Sequence, residues 1–239
     1  MPGPTRLSKR VIELTGCSRS EADRYIEGGW VRVDGAVVEL PQHMVDREAI
    51  EIDPKATLEP LEPVTIVLHK PAGVDVADPR AAVALVTEET HWDDDPSGIR
   101  LLRKHRSGLV PVFPLDADAS GLLAFTQDPR AQRRFEEEAD RFEHEYTVEL
   151  TAQPRPEAVS RFGKGLEVDG RRIPPSNVSL QSEQRLRFAL KGVSAGQIRR
   201  MCTQVGFGVV SVKRVRVGRI SLGKTPVGKW RYLASQQRF

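Results

Sequence analysis

The 239-residue chain has little cysteine: only Cys17 and Cys202, far apart and without CxxC spacing. That excludes a disulfide scaffold and a zinc ribbon and leaves two reduced thiols in packing roles. The five histidines, His43, His69, His91, His105 and His144, form no HxH or HxxxH pair, so no metal site is expected. Neither common glycine-rich phosphate-cradling motif is present, which argues against nucleotide binding. No apolar run approaches the roughly 18 residues that span a bilayer. The opening MPGPTRLSKR carries no apolar segment of the kind a secretory signal needs. The expectation is a cytoplasmic protein without metal, cofactor or membrane partner.

What is present is ordinary in amount and uneven in placement. Hydrophobic residues make up 39% and charged residues 29%, typical of a globular chain. The net charge is +3, but residues 161–239 alone carry +14, while residues 1–60 carry −3 and 61–160 carry −8. A basic segment of that size suits a polyanionic partner.

Periodicity organises the first 55 residues. Leu7, Val11, Ile12 and Leu14 have helical spacing, and Ser18 with Glu21 makes a capping box that opens a second helix, stopped at Gly28-Gly29. Asp34-Gly35 between VRV and AVV predicts a two-residue hairpin, and Ala49–Asp53 a further strand. The proline-rich PKATLEPLEP then reads as a linker. The expected domains are 1–55, a linker over 56–63, and 64–239.

In the second domain, strands are expected at Val64–His69 and His144–Thr151, a strand-turn-strand over Leu109–Thr126, and helices over Asp128–Arg141 and Ser194–Gly206. Ser194 with Gln197 has the pattern of a second capping box. Alternation in VSVKRVRV (Val210–Val217) places Arg214 and Arg216 on one face and Val215 and Val217 on the other. The fold class is α+β. One segment is chemically odd: PVFPLDADASGLLAFTQD sets Asp116 and Asp118 inside an apolar run. Desolvation there would neutralise a carboxylate unless a cation stood beside it.

Two resemblances follow from these residues. RLSKRV (Arg6–Val11), CSRSEADRYIEGGWVRVDG (Cys17–Gly35) and the strand at Ala49–Asp53 resemble the S4 RNA-binding module. VLHKPAG (Val67–Gly73), PLDADASGLLAFTQD (Pro114–Asp128), HEYTVEL (His144–Leu150) and GQIRRMCTQVG (Gly196–Gly206), with VKRVRVGRISLG and PVGKWRYL after them, resemble the RsuA family of ribosomal-RNA pseudouridine synthases, in that family's order. The resemblance implies a small S4-like helix-helix-hairpin module followed by a mixed, mainly antiparallel sheet domain with flanking helices. It implies isomerisation of a uridine in ribosomal RNA, large-subunit RNA ahead of small-subunit RNA, with transfer RNA as a further candidate and a monomer expected.

By the same resemblance Asp116 is the nucleophile, Arg199 its ion partner and Tyr146 the residue that stacks on the base and helps proton transfer. Arg6, Lys9, Arg10, Arg19, Arg24, Lys70, Arg200, Arg214 and Arg216 are candidate RNA contacts, and Asp118 with Ser120 is expected to hold the turn. Three positions depart from the family pattern: Pro114 stands where an arginine is usual, His144 where a lysine is, and Gly196 where an arginine is. Arg100, Arg103, Lys104 and Arg106 are candidates to compensate. Those lost cations also motivate the alternative of a catalytically silent RNA-binding or ribosome-assembly factor.

Overall fold

A computed structural model describes residues 3–234, 237 and 239, in two compact units. The first comprises Met1–Pro63 with Arg100–Gly108, and the second Val64–Ile99 with Leu109–Phe239. Among the described residues, no helix is long and apolar enough to cross a membrane.

The small unit runs β1 (Thr5–Arg6), α1 (Leu7–Thr15), α2 (Arg19–Glu27), β2 (Val31–Val33), β3 (Ala36–Val37), β4 (Met44–Val45) and β5 (Ile50–Ile52). Both halves of the Ser18–Glu21 capping box form, which satisfies two otherwise orphaned N–H groups at the start of α2. Asp34 and Gly35 both take positive φ, 48° and 81°, as a tight hairpin turn matched to strand twist requires. Leu7, Val11, Ala22, Ile26, Val31, Val33 and Val45 form the core. Leu14, expected inward from its spacing, is exposed, one residue before α1 ends.

The basic cluster Arg100–Arg106 belongs to this unit. Arg100 lies 3.9 Å over the Trp30 ring and donates to the carbonyls of Gly28 and Gly29. Lys104 pairs with Glu27 at 3.0 Å, and the Arg103 amide donates to Glu39. These cations hold their own segment against the small unit.

The large unit comprises β6 (Thr65–Lys70), α3 (Pro79–Val83), β7 (Val110–Val112), β8 (Ser120–Thr126), α4 (Pro129–Glu137), β9 (Glu143–Leu150), α5 (Pro156–Ser160), β10 (Leu166–Val168), β11 (Arg171–Ile173), β12 (Asn177–Ser182), β13 (Arg185–Lys191), α6 (Gln197–Gln204), β14 (Val209–Val217), β15 (Ile220–Ser221) and β16 (Trp230–Tyr232). Its main sheet has the order β12-β13-β9-β14-β8-β6-β16, with β15 on β14 and β7 on β8. The β14–β8 pair is parallel and the others antiparallel. Tyr146, Val148 and Leu150 of β9 pack with Ile198, Met201 and Cys202 of α6 in one core.

Two local details set the site. Gly121 sits opposite Arg214 in the parallel ladder with φ +113°, and a Cβ there would collide with the Arg214 carbonyl and lie 2.7 Å from its amide nitrogen. Only glycine lets β8 and β14 approach so closely. On β14 the register with β9 shifts between Arg214 and Arg216. This irregularity breaks the expected alternation: Val212, Arg214 and Val217 are buried, and Val215 and Arg216 are both half-buried.

Candidate active site

Asp116 sits in the turn between β7 and β8, which the Ala119 amide closes on the Asp116 carbonyl at 3.1 Å. Its carboxylate receives the Gly196 N–H, 2.9 Å from each oxygen. Gly196 caps α6 in the left-handed conformation, φ 67°. That conformation favours glycine and aims the amide at Asp116. Ser194 does not cap the helix; its N–H and hydroxyl both donate to the Gln197 side chain, at 2.9 and 3.0 Å.

Tyr146 projects from β9 into the same region and is buried. Burial pushes its phenol above the usual range, with Arg214 opposing. Arg214, its cross-strand neighbour, is fully buried and lies against the tyrosine hydroxyl. Its guanidinium donates to the carbonyls of Leu122 at 2.8 Å, Pro114 at 3.0 Å and Phe113. Burial pulls its pKa down, and Tyr146 and Asp116 pull it back up. Lys70 is a second buried cation. Its ammonium donates to the carbonyls of Pro71, Val74 and Ala117 at 2.9–3.0 Å. Burial lowers its pKa, offset chiefly by Asp118 and then by Asp116 and Asp75.

Asp116 and Tyr146 line one cavity of about 280 Å³, walled by Pro114–Ala117, Val193–Ala195 with Ile198, and Asp75–Ala77. Such a space suits one planar base and a carboxylate to act on it.

The structure corrects several sequence expectations. Arg199 does not pair with Asp116: its Nε lies 2.5 Å from Asp118, and it also donates to the Val209 carbonyl. The N-terminus of α6 presents backbone N–H to Asp116, while the Arg199 side chain, in the first turn, reaches past it. Asp118 therefore ties the turn to α6 through Arg199. Lys70 and Arg214, expected at an RNA surface, are buried and spend their donors on backbone carbonyls. Arg216 is committed to Glu143 and Glu145, and Arg200 to Asp169 and the Ala195 carbonyl. In the small unit Arg6, Lys9, Arg19 and Arg24 are exposed, while Arg10 pairs with Glu13 at 2.8 Å. Sequence reasoning missed the site role of Gly196, whose backbone, not its side chain, contacts Asp116. It also missed Asp75, which no motif singled out.

His144, two residues before Tyr146, is buried, with Nδ1 3.4 Å from the tyrosine hydroxyl. Its Nε2 has no hydrogen-bond partner among the described residues. Burial, with Arg214 adding to it, pulls its pKa from 6.5 to about 3. The folded value lies below the unfolded one, so below pH 6.5 the unfolded state takes up the proton first. Stability from the neutral imidazole is complete above pH 6.5 and is lost as pH falls toward 3, by about 1.4 kcal/mol per pH unit. Replacing His144 with Gln should flatten unfolding free energy against pH by about that slope between pH 6 and 4; an unchanged slope in urea titrations would refute the assignment.

Comparison with known proteins identifies the family. A family model described as RNA pseudouridylate synthase matches residues 64–204, and an S4 domain model matches residues 5–50. The chain is 28% identical over 236 residues to the dual-specificity RNA pseudouridine synthase RluF of Salmonella typhi, covering 98% of this chain and 77% of that protein. It is 26% identical over 243 residues to ribosomal small subunit pseudouridine synthase A of Salmonella typhimurium, covering 97% of each. A crystal structure of a pseudouridylate synthase superposes with a TM-score of 0.61 at 20% identity, covering 96% of both chains, which speaks to the fold. Matched by that family over more than half its length, with an S4 domain ahead, the chain belongs to the RNA pseudouridylate synthases, consistent with the RsuA family, and is an isomerase acting on RNA.

Proposed function

We propose that this enzyme converts a specific uridine of ribosomal RNA to pseudouridine, with Asp116 as the nucleophile. The observation that carries the reading is the cavity that Asp116 shares with Tyr146, its carboxylate oriented by the Gly196 amide. A flipped base enters with its face against the tyrosine ring, and stacking offsets part of the cost of flipping. The carboxylate attacks C1′ as the N1–C1′ bond breaks, and the C1′–O bond so formed breaks again when C5 attacks C1′. The base turns, C5 bonds to C1′, the C5 proton leaves and N1 takes up a proton. Substrate and product have the same composition, so this balance needs no cofactor.

Arg214 supplies the buried positive charge that faces both Tyr146 and Asp116. Arg199 with Asp118 ties α6 to the turn. The exposed arginines and lysine of the S4 domain engage phosphates and orient the RNA without reading sequence. Ribosomal RNA is favoured because a similar chain is named for the ribosomal small subunit. Large-subunit RNA is kept ahead of small-subunit RNA, and transfer RNA as a further candidate, on the resemblance of the sequence alone. The enzyme is read as a cytoplasmic monomer.

The silent alternative rested on lost cations. Against it, the carboxylate and the ring line one pocket, the buried Arg214 acts on both, and His144 keeps that pocket's tyrosine hydrogen-bonded without charge. The test is chemical mapping of pseudouridine in total RNA with and without the gene. One or a few sites, in large-subunit RNA first, should disappear and return with the wild-type gene. An unchanged map together with a ribosome-assembly defect would favour the silent factor.

A further inference from the structure

Besides Asp116 and Tyr146, Asp75 is the other ionisable side chain lining the cavity. It is exposed, yet its place is fixed. The Gly73 amide donates to the Ala117 carbonyl at 2.7 Å, and the Lys70 ammonium bridges the Val74 and Ala117 carbonyls at 2.9 and 3.0 Å. The two residues before Asp75 are thus tied to the residue after Asp116. Asp75 Oδ1 accepts the Ala77 N–H at 2.8 Å, which orients the carboxylate and leaves Oδ2 for a ligand.

A uracil flipped into this cavity must have its edge recognised by hydrogen bonds. That edge offers two carbonyl acceptors flanking a single donor, N3–H. An ionised carboxylate only accepts, so it matches N3–H and repels the lone pair that cytosine carries at N3. We propose that Asp75 is a specificity-determining residue that accepts the N3–H of the flipped uracil, admitting uridine and rejecting cytidine. The assignment deepens the isomerase reading above and rests on it. Ring geometry supports the choice of atom. N1 and C5 both neighbour C6, so the turn that exchanges them runs about the line from N3 to C6. N3–H stays on that axis, and one acceptor can hold the base before and after the turn.

The competing role is a turn cap acting through Oδ1 alone, and Asp75→Asn separates the two. Asn keeps an oxygen for the Ala77 amide but places an NH₂ where Oδ2 stood, a donor facing a donor. Wild type, Asp75→Asn and Asp75→Ala are assayed on RNA extracted from a strain lacking the gene. A transcript spanning the mapped site, with uridine or cytidine at the target, is then competed for binding.

Wild type should prefer the uridine transcript by about 10- to 100-fold, the effect of one charge-assisted hydrogen bond. Asp75→Asn should raise KM about 10-fold and shrink that preference to about 3-fold or less, with thermal unfolding unchanged. Wild-type KM and preference in Asp75→Asn, with only Asp75→Ala impaired, would leave a turn cap and overturn the assignment alone. A wild-type enzyme inactive on that RNA would instead overturn the isomerase reading, and this assignment with it.

Discussion

Asp116→Asn should abolish uridine isomerisation, with kcat falling by about 10⁴-fold or more, while RNA binding stays within about 2-fold of wild type. Three features make this the largest catalytic effect expected. The other carboxylate lining the cavity, Asp75, is assigned to the N3–H edge of the base and not to C1′. Burial pushes the Tyr146 phenol up, so it supplies no phenolate near neutral pH. Asp118 is held by Arg199 at 2.5 Å and does not line the cavity. The replacement is otherwise mild. Asn keeps one oxygen for the Gly196 amide and the same volume, so unfolding free energy should shift by about 1 kcal/mol or less. Single-turnover assay on RNA from a strain lacking the gene, beside a filter-binding titration, reads both quantities. Wild-type turnover by Asp116→Asn would remove Asp116 from the chemistry.

The turn that carries Asp116 was legible because its signals are local. A carboxylate inside an apolar run, followed by Ser-Gly, needs no tertiary knowledge to look unusual, and Gly121 proves to be where two strands touch. The same holds for Ser18 with Glu21 and for Asp34-Gly35, where side chain and backbone act within four residues. The cations were not legible. A lysine before Pro-Ala-Gly and an arginine in an alternating strand have the composition of an RNA surface, yet Lys70 and Arg214 are buried. Two things hid this. The register irregularity on β14 reverses inward and outward after Arg214, and no residue type announces it. And the acceptors that justify burying these charges, the carbonyls of Ala117, Phe113, Pro114 and Leu122, come from segments distant in sequence. Arg199 was misassigned for a related reason: the resemblance marks the arginine but not which of two aspartates in one turn it reaches.

Arg214→Met should destabilise the protein more than any other single change considered, by about 3–5 kcal/mol. The guanidinium satisfies three carbonyls at once, two of them, of Leu122 and Phe113, in buried bonds, and methionine fills the space without donating to them. Each carbonyl left unpaired costs about 1–3 kcal/mol, only partly recovered because the charge itself no longer needs burial. For a chain of this size the melting temperature should fall by about 6–20 °C, at about 2–4 °C per kcal/mol. Arg214→Lys keeps the charge but lacks the planar fork that reaches three directions, so it should lose roughly half as much and still impair turnover, because Phe113 and Pro114 lead directly into Asp116. The salt dependence of RNA binding separates this role from a surface contact. An arginine on a phosphate, once removed, lowers the slope of log affinity against log salt by about one. Arg214→Met should leave that slope unchanged while stability and turnover fall. If the slope drops and stability does not, Arg214 faces RNA rather than the core.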